Sequence, residues 1–122
     1  MKNPKWHRDE IILALDLYFD QSRGPIDSGN KKIIELSKLL NSLPIFERYL
    51  DRTTFRNPNG VSLKLSNFLA LDPGYVGKGM KAYSKLDKEV FEEFNSDKIR
   101  LHKIAEDIKS IVRDVKLTSK IL

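Results

Sequence analysis

RDEIILALDLYFDQ, residues 8–21, is the most informative stretch for the fold class of this chain. Asp9 and Glu10 stand where a first helical turn would carry them, and carboxylates favour the positive end of the helix dipole there. The apolar residues at helical spacing form one stripe, Ile11, Leu15, Tyr18 and Phe19, and three more widen it, Ile12, Leu13 and Leu17. So broad an apolar surface predicts a helix that contacts more than one other element.

Outward from this stretch, the same periodicity predicts four further helices, at about 31–41, 61–71, 86–95 and 97–116. Asn30 or Ser28 would cap the second helix, and Pro44 would end it or kink its last residues. The segment IFERYLDR (45–52) could add a short helical turn, and Asn57–Gly60 is predicted to be a turn. We therefore expect an all-α fold, a compact bundle of about five helices with two ordered loops. The predicted order of helices and loops also allows helix-turn-helix-like elements.

Length and composition set the bounds on the class of protein. The 122 residues correspond to one domain, and the absence of cysteine excludes disulfides and thiolate metal sites. No apolar run approaches the roughly 20 residues that span a bilayer, and the N-terminus does not read as a signal peptide. These features predict a cytoplasmic protein.

The net charge of +5 is unevenly distributed along the chain. Residues 61–85 carry four lysines against Asp72 alone, whereas residues 86–122 carry eight basic and eight acidic residues. A local excess of positive charge in a segment rich in Gly, Pro and Asn favours a polyanionic partner.

Residues for catalysis or metal binding are sparse in the sequence. His7 and His102 are the two histidines, and neither has a second histidine three or four positions away. The segment GKGMK lacks the strand and the Lys-Ser/Thr ending of a phosphate loop, and Glu92, Glu93 and Asp87 resemble the solvated face of a helix. We expect no cofactor, no metal and no catalysis by this chain.

The third predicted helix and its flanks make a workable DNA-reading device. A helix N-terminus presents unpaired N–H groups to phosphate, Asn reads adenine, and Arg or Lys reads guanine. The predicted DNA-binding residues are Arg52, Arg56, Asn57, Asn59, Lys64, Asn67, Lys78, Lys81 and Lys85. Lys64 and Asn67 are expected to face solvent or a partner. For Asn57, Asn59 and Gly60 the alternative is that they only shape a turn. Tyr75, Tyr83 and Trp6 could stack on a base, although packing is the commoner role.

Three segments together resemble a known protein family: WHRDEIILALDLYF (6–19), FRNPNGVSLKLSNFLALDPGYVGKG (55–79) and SKLDKEVFEEF (84–94). They look like the N-terminal head domain of McrA-like, modification-dependent HNH restriction endonucleases and related HNH-family proteins. The matching positions are Trp6, Arg8, Glu10, Arg56, Asn57, Asn59, Gly60, Lys64, Asn67, Asp72, Gly77, Lys78 and Gly79.

This resemblance implies a single non-catalytic DNA-binding head domain over residues 1–122, associated with restriction or anti-phage defence. The implied partner is double-stranded DNA, with modified cytosine as one form of it. The HNH histidine cluster is missing, so nuclease activity does not carry over, and the last helix, 97–122, would lead toward a nuclease domain in a longer protein.

A second hypothesis, from a different class, is a protein-interaction or dimerisation head. Leu101, Ile104, Ile108, Ile111 and Val115 recur at heptad spacing over about two repeats. They could close the domain's own core, pair with a second copy or contact another domain.

Overall fold

The computed structural model describes residues 3–45, 53–75, 77 and 82–121, with side chains described as far as residue 114. Five helices follow one another: α1 (Arg8–Phe19), α2 (Lys31–Leu40), α3 (Pro58–Leu71), α4 (Lys85–Phe94) and α5 (Lys98–Ile121). The described residues contain no strand. The all-α prediction is confirmed, whereas the short turn predicted within 45–52 falls almost entirely outside the described residues.

The helix α1 occupies the centre of the bundle and packs against each of the other four helices. Ile11, Ala14 and Leu15 are fully buried there. Phe68 of α3 and Phe94 of α4 are also fully buried and complete the same core. The broad apolar surface of α1 therefore has the several partners that its sequence predicted.

Helix α1 ends at Phe19, two residues earlier than predicted. The side chain of Asp20 accepts hydrogen bonds from the Ser22 backbone N–H and hydroxyl, both at 2.8 Å, which turns the chain. Asn30 caps α2 through its side chain, which accepts from Lys32 N, so Asn30 rather than Ser28 is the cap.

The Asn57–Gly60 turn was predicted wrongly, because these residues begin α3. Asn57 is the N-cap and accepts a hydrogen bond from Gly60 N at 2.8 Å, and Pro58 occupies the first helical position. Proline is favoured there because the missing N–H has no helical partner in any case. The turn-forming residues of the sequence are thus helix-starting residues in the fold.

Helix α5 is longer than predicted, and its buried side overlaps the predicted heptad seam only in part. Leu101, Ala105 and Val112 are buried, and Ile104 and Ile108 pack partly against the core. Ile111, which was expected in the seam, is 58% exposed. The side chain of Val115 lies outside the described residues.

None of the helices in the described ranges is both long enough and apolar enough to cross a bilayer.

Candidate functional site

Arg56, one of the residues predicted to bind DNA, forms a buried ion pair. Its Nε and one terminal nitrogen donate to the two carboxylate oxygens of Glu10 at 2.8 and 3.0 Å. The same terminal nitrogen also donates to the carbonyl oxygens of Pro4 and Lys5. Arg56 is only 4% exposed. Through these hydrogen bonds its guanidinium joins the segment before α1 and the first turn of α1 to the start of α3.

The backbone of Arg56 is held in an uncommon conformation. Its φ of 47° lies in the left-handed region, which costs energy for a residue with a Cβ. The hydroxyl of Ser37 on α2 donates to the Arg56 carbonyl at 2.7 Å. Contacts of both backbone and side chain therefore fix Arg56 in the step before α3, where it meets α1 and α2.

Lys64 makes the second buried ion pair. Its Nζ lies 3.0 and 2.9 Å from the two carboxylate oxygens of Asp87 on α4, and Lys64 is 9% exposed. The ring of Trp6 joins the two pairs, because the Arg56 guanidinium and Lys64 Nζ lie 4.7 and 5.1 Å from its centroid. Cations at this distance from an indole face are attracted to it.

Both acidic partners are also helix caps. Glu10 accepts from His7 N and Asp87 accepts from Ser84 N, each at 2.9 Å, as the third residue of a capping box. Each carboxylate thus satisfies a helix N-terminus and a buried cation at once. We call Trp6, Glu10, Arg56, Lys64 and Asp87 the ion-pair cluster.

The cluster corrects two expectations from the sequence. Lys64 and Asn67 were expected to face solvent or a partner, but both are buried inside the domain, Asn67 being 8% exposed. Asp87 was interpreted as part of a solvated face and is fully buried. The reason is that α4 packs across α3, which the spacing of residues within α3 does not reveal. In this conformation Arg56 and Lys64 are engaged inside the protein, and neither presents its charge to a phosphate.

The remaining predicted residues are a helix cap, side chains that reach the surface, and residues that the structure does not describe. Asn57 is the α3 cap, and its amide also donates to Thr53 O. Asn59 and Lys85 are exposed. Tyr75 is exposed and Tyr83 is half-buried. Arg52, Lys78 and Lys81 lie outside the described residues.

Asp72, another of the positions that match the family resemblance (here the family-like pattern), accepts a hydrogen bond from inside the domain. The hydroxyl of Tyr18 donates to Asp72 Oδ2 at 2.6 Å. Burial, and then this hydrogen bond, raise the pKa of Tyr18 above its ordinary value. A Cβ at Gly77, a further position of the pattern, would overlap the Tyr75 ring, so glycine lets that ring lie against the backbone. Most of the pattern therefore has a structural explanation.

The ion-pair cluster brings helix N-termini together. The first turns of α1 and α4 both lie beside the first two turns of α3, because Glu10 meets Arg56 and Asp87 meets Lys64. Lys5 and Lys85 are exposed on this side of the molecule and form no ion pair with a described residue. We call this end of the bundle the cluster face.

A groove of about 650 Å³ runs between α1, α2 and α5, beside the C-terminal half of α1. Leucines and Phe19 form its apolar part, and seven charged residues and a histidine surround them: Asp16, Asp20, Lys32, Glu35, Lys98, His102, Glu106 and Lys109. The hydroxyl and backbone N–H of Ser22, together with Lys32, lower the pKa of Asp20 to about 2.

The sequence interpretation missed a group of three side chains at this groove. Asp16 of α1 contacts His102 of α5, and Glu106 lies one helical turn beyond His102. The pair His102–Glu106, four positions apart, was visible as a spacing signal, whereas Asp16 is brought in only by the packing of α1 on α5.

Compared with known proteins, the chain matches no family model, no curated protein and no solved structure.

Proposed function

We propose that this chain is a non-catalytic nucleic-acid-binding domain whose ligand is double-stranded DNA, contacted through the cluster face. The observation that carries the proposal is that Arg56 and Lys64 neutralise the buried caps Glu10 and Asp87. Lys5 and Lys85 then stand exposed beside two helix N-termini with no described carboxylate paired to them. Exposed cations without an acidic partner favour phosphate oxygens.

The sequence carries further positive charge directly before Lys85. Lys78 and Lys81 precede Lys85 in a segment, residues 76–85, that contains no acidic residue. We assign phosphate contacts to these three lysines, Lys5 and Arg52. Arg56 and Lys64 act as supports that hold the helices in place, which differs from the DNA-contacting role first expected for them.

The proposal is tested with fluorescence anisotropy on short duplexes over a salt series, using Lys81→Gln/Lys85→Gln. Each phosphate contact contributes about 0.9 to the slope of log affinity against log salt. We expect the double variant to bind more weakly and to lose about 1 to 2 from that slope. Circular dichroism should show an unchanged helix content.

The matched control is Lys31→Gln/Lys103→Gln, which removes the same charge from α2 and α5. It should keep most of the wild-type salt slope. Equal losses in the two variants would indicate only a net-charge effect, and a wild-type chain that binds no duplex at low salt would refute the proposal.

Recognition of modified cytosine is a finer part of the proposal. Asn59 and Tyr75 are exposed polar and aromatic side chains of the family-like segment, and such groups can hydrogen-bond or stack on a base. Duplexes with methyl- or hydroxymethylcytosine should then bind more tightly than the unmodified one, and Tyr75→Ala should reduce this preference. Equal affinities for all duplexes would mean that the chain contacts the DNA backbone without recognising modified cytosine.

One observation supports the alternative hypothesis of a protein-interaction or dimerisation head. Ile111 is 58% exposed and lies one heptad after the half-buried Ile104, on the same side of α5. Ile99 is 88% exposed but about 120° away around the helix at roughly 100° per residue. If α5 mediates self-association, light scattering should show that Ile111→Ser weakens it and Ile99→Ser does not. A monomer at every concentration would remove this alternative.

A further inference from the structure

Asp16, His102 and Glu106 form a compact group at the rim of the groove between α1, α2 and α5. His102 Nδ1 lies 3.0 and 3.2 Å from the two carboxylate oxygens of Asp16, and His102 Nε2 lies 4.0 Å from Glu106 Oε1. One ligand atom from each residue can be chosen so that all three lie within 4.8 Å of one another.

We propose that these three residues bind a divalent transition-metal ion, with Zn²⁺ as the best fit. Zn²⁺ takes imidazole nitrogen and carboxylate oxygen at about 2.0–2.2 Å, which separates neighbouring ligand atoms of a tetrahedral site by about 3.4 Å. The Asp16–His102 distances are already close to that separation. An imidazole with two carboxylates suits zinc better than Mg²⁺ or Ca²⁺, which prefer oxygen ligands alone.

The imidazole is placed so that a cation stabilises the group. An imidazole binds one ion through one ring nitrogen, and Nδ1 is the nitrogen that faces Asp16, so we assign Nδ1 as the ligand and place the ring proton on Nε2, on the side of the Glu106 carboxylate. In that tautomer the Nδ1 lone pair faces the Asp16 carboxylate and the two acceptors repel each other, and a metal ion bound to both removes that repulsion. The site would also connect α1 to α5.

The three side chains leave room for a further metal ligand, and nearby basic side chains compete with the metal for Glu106. The side chains of His102 and Glu106 are 64% and 43% exposed, so they can adjust, and a fourth coordination position is accessible to water. Lys109 Nζ lies 3.2 Å from Glu106 Oε1, and an Arg113 nitrogen lies 3.8 Å from Oε2. These cations hold Glu106 when no metal does, so binding of Zn²⁺ must displace Lys109.

The test uses untagged full-length chain, with Zn²⁺ in calorimetry and Co²⁺ as a visible-absorption probe. We expect one ion per chain and a rise in unfolding temperature with metal, because the ion binds the folded state. His102→Ala and Glu106→Gln should each weaken binding by about tenfold or more. Lys109→Gln should strengthen it, a result that adventitious binding to exposed carboxylates elsewhere would not produce.

The other histidine provides the matched control. His7→Asn removes an exposed imidazole but keeps a side chain that can cap α1. It should leave the affinity for Zn²⁺ unchanged. The proposal is overturned if the wild type takes up no Zn²⁺ at millimolar concentration, if His102→Ala binds as tightly as wild type, or if His7→Asn loses binding equally. Because the site lies away from the cluster face, metal binding and DNA binding fail independently.

Discussion

Arg56 and Lys64 show that a basic side chain predicted to bind DNA can instead be a buried ion-pair partner. An arginine and a lysine in a basic, loop-rich segment favour a polyanion as long as their surroundings are unknown. In the fold each meets a buried carboxylate at 3.0 Å or less, and Trp6 lies beside both cations. The indole and the capping hydrogen bonds offset part of the cost of removing these charges from water.

Breaking one of these pairs should be much more damaging than breaking a surface pair. Arg56→Met leaves Glu10 charged and buried, so we expect a loss of about 3–5 kcal/mol in the free energy of unfolding. Adding Glu10→Gln should recover part of this loss, because glutamine is neutral and still accepts the capping hydrogen bond from His7. Urea unfolding followed by circular dichroism measures both changes.

The exposed pair of Lys103 and Asp107, 3.6 Å apart on α5, provides the comparison. Lys103→Met should change the free energy of unfolding by no more than about 0.5 kcal/mol. If Arg56→Met were equally mild, the buried ion pair would contribute nothing to the stability of the fold.

The lowered pKa of Asp20 predicts a pH-dependent contribution to stability. Its pKa is about 2 in the fold against an ordinary 3.8, so the folded state favours the ionised form. The stabilisation is complete above about pH 4 and is lost as the pH falls toward 2. The stability gap between wild type and Asp20→Asn should therefore be present at neutral pH and close over this range. A gap that stays constant down to pH 2 would contradict the assignment.

At the scale of elements, α3 and α5 depart from their predicted forms for different reasons. Asn57-Pro58-Asn59-Gly60 has the composition of a turn, but a capping Asn followed by Pro is also a strong helix start. For α5 the periodicity was correct, and the predicted buried side was correct at Leu101, partly correct at Ile104 and Ile108, and wrong at Ile111. Ala105 and Val112 are buried and Ile111 is 58% exposed, and this depends on how α5 packs against α1 and not on the hydrophobicity of each residue.

The orientation of α5 can be tested by truncating side chains on its two sides. Leu101 is fully buried and belongs to the core, so Leu101→Ala should cost about 2–5 kcal/mol. Ile111→Ala should change stability by about 0.5 kcal/mol or less, because the side chain is already largely in water. Thermal or urea unfolding of both variants decides this, and similar losses would mean that Ile111 is packed.

At the scale of the whole molecule, the ion-pair cluster links α1, α3 and α4, while Leu101 and Ala105 attach α5 to the same core. Trp6 lies in the middle of the cluster and is the only tryptophan. Its fluorescence therefore reports whether the joint between three helices is intact.

We expect tryptophan emission and far-UV circular dichroism to give coincident unfolding curves in urea. Coincidence follows if the cluster and the helices are lost in one cooperative step. An emission change at a lower urea concentration than the loss of helix would show that the cluster opens before the bundle unfolds.

The amino-acid sequence by itself determined the helices, because apolar spacing and capping residues act within one element. It predicted the all-α class, contact of α1 with more than one other element, and helix bounds correct to within three residues except at the C-terminal end of α5. Tertiary structure decided which charged side chains meet, since Glu10 with Arg56, Lys64 with Asp87 and Asp16 with His102 are 46, 23 and 86 residues apart. Pairing at such separations depends on how helices pack, and no local pattern encodes it.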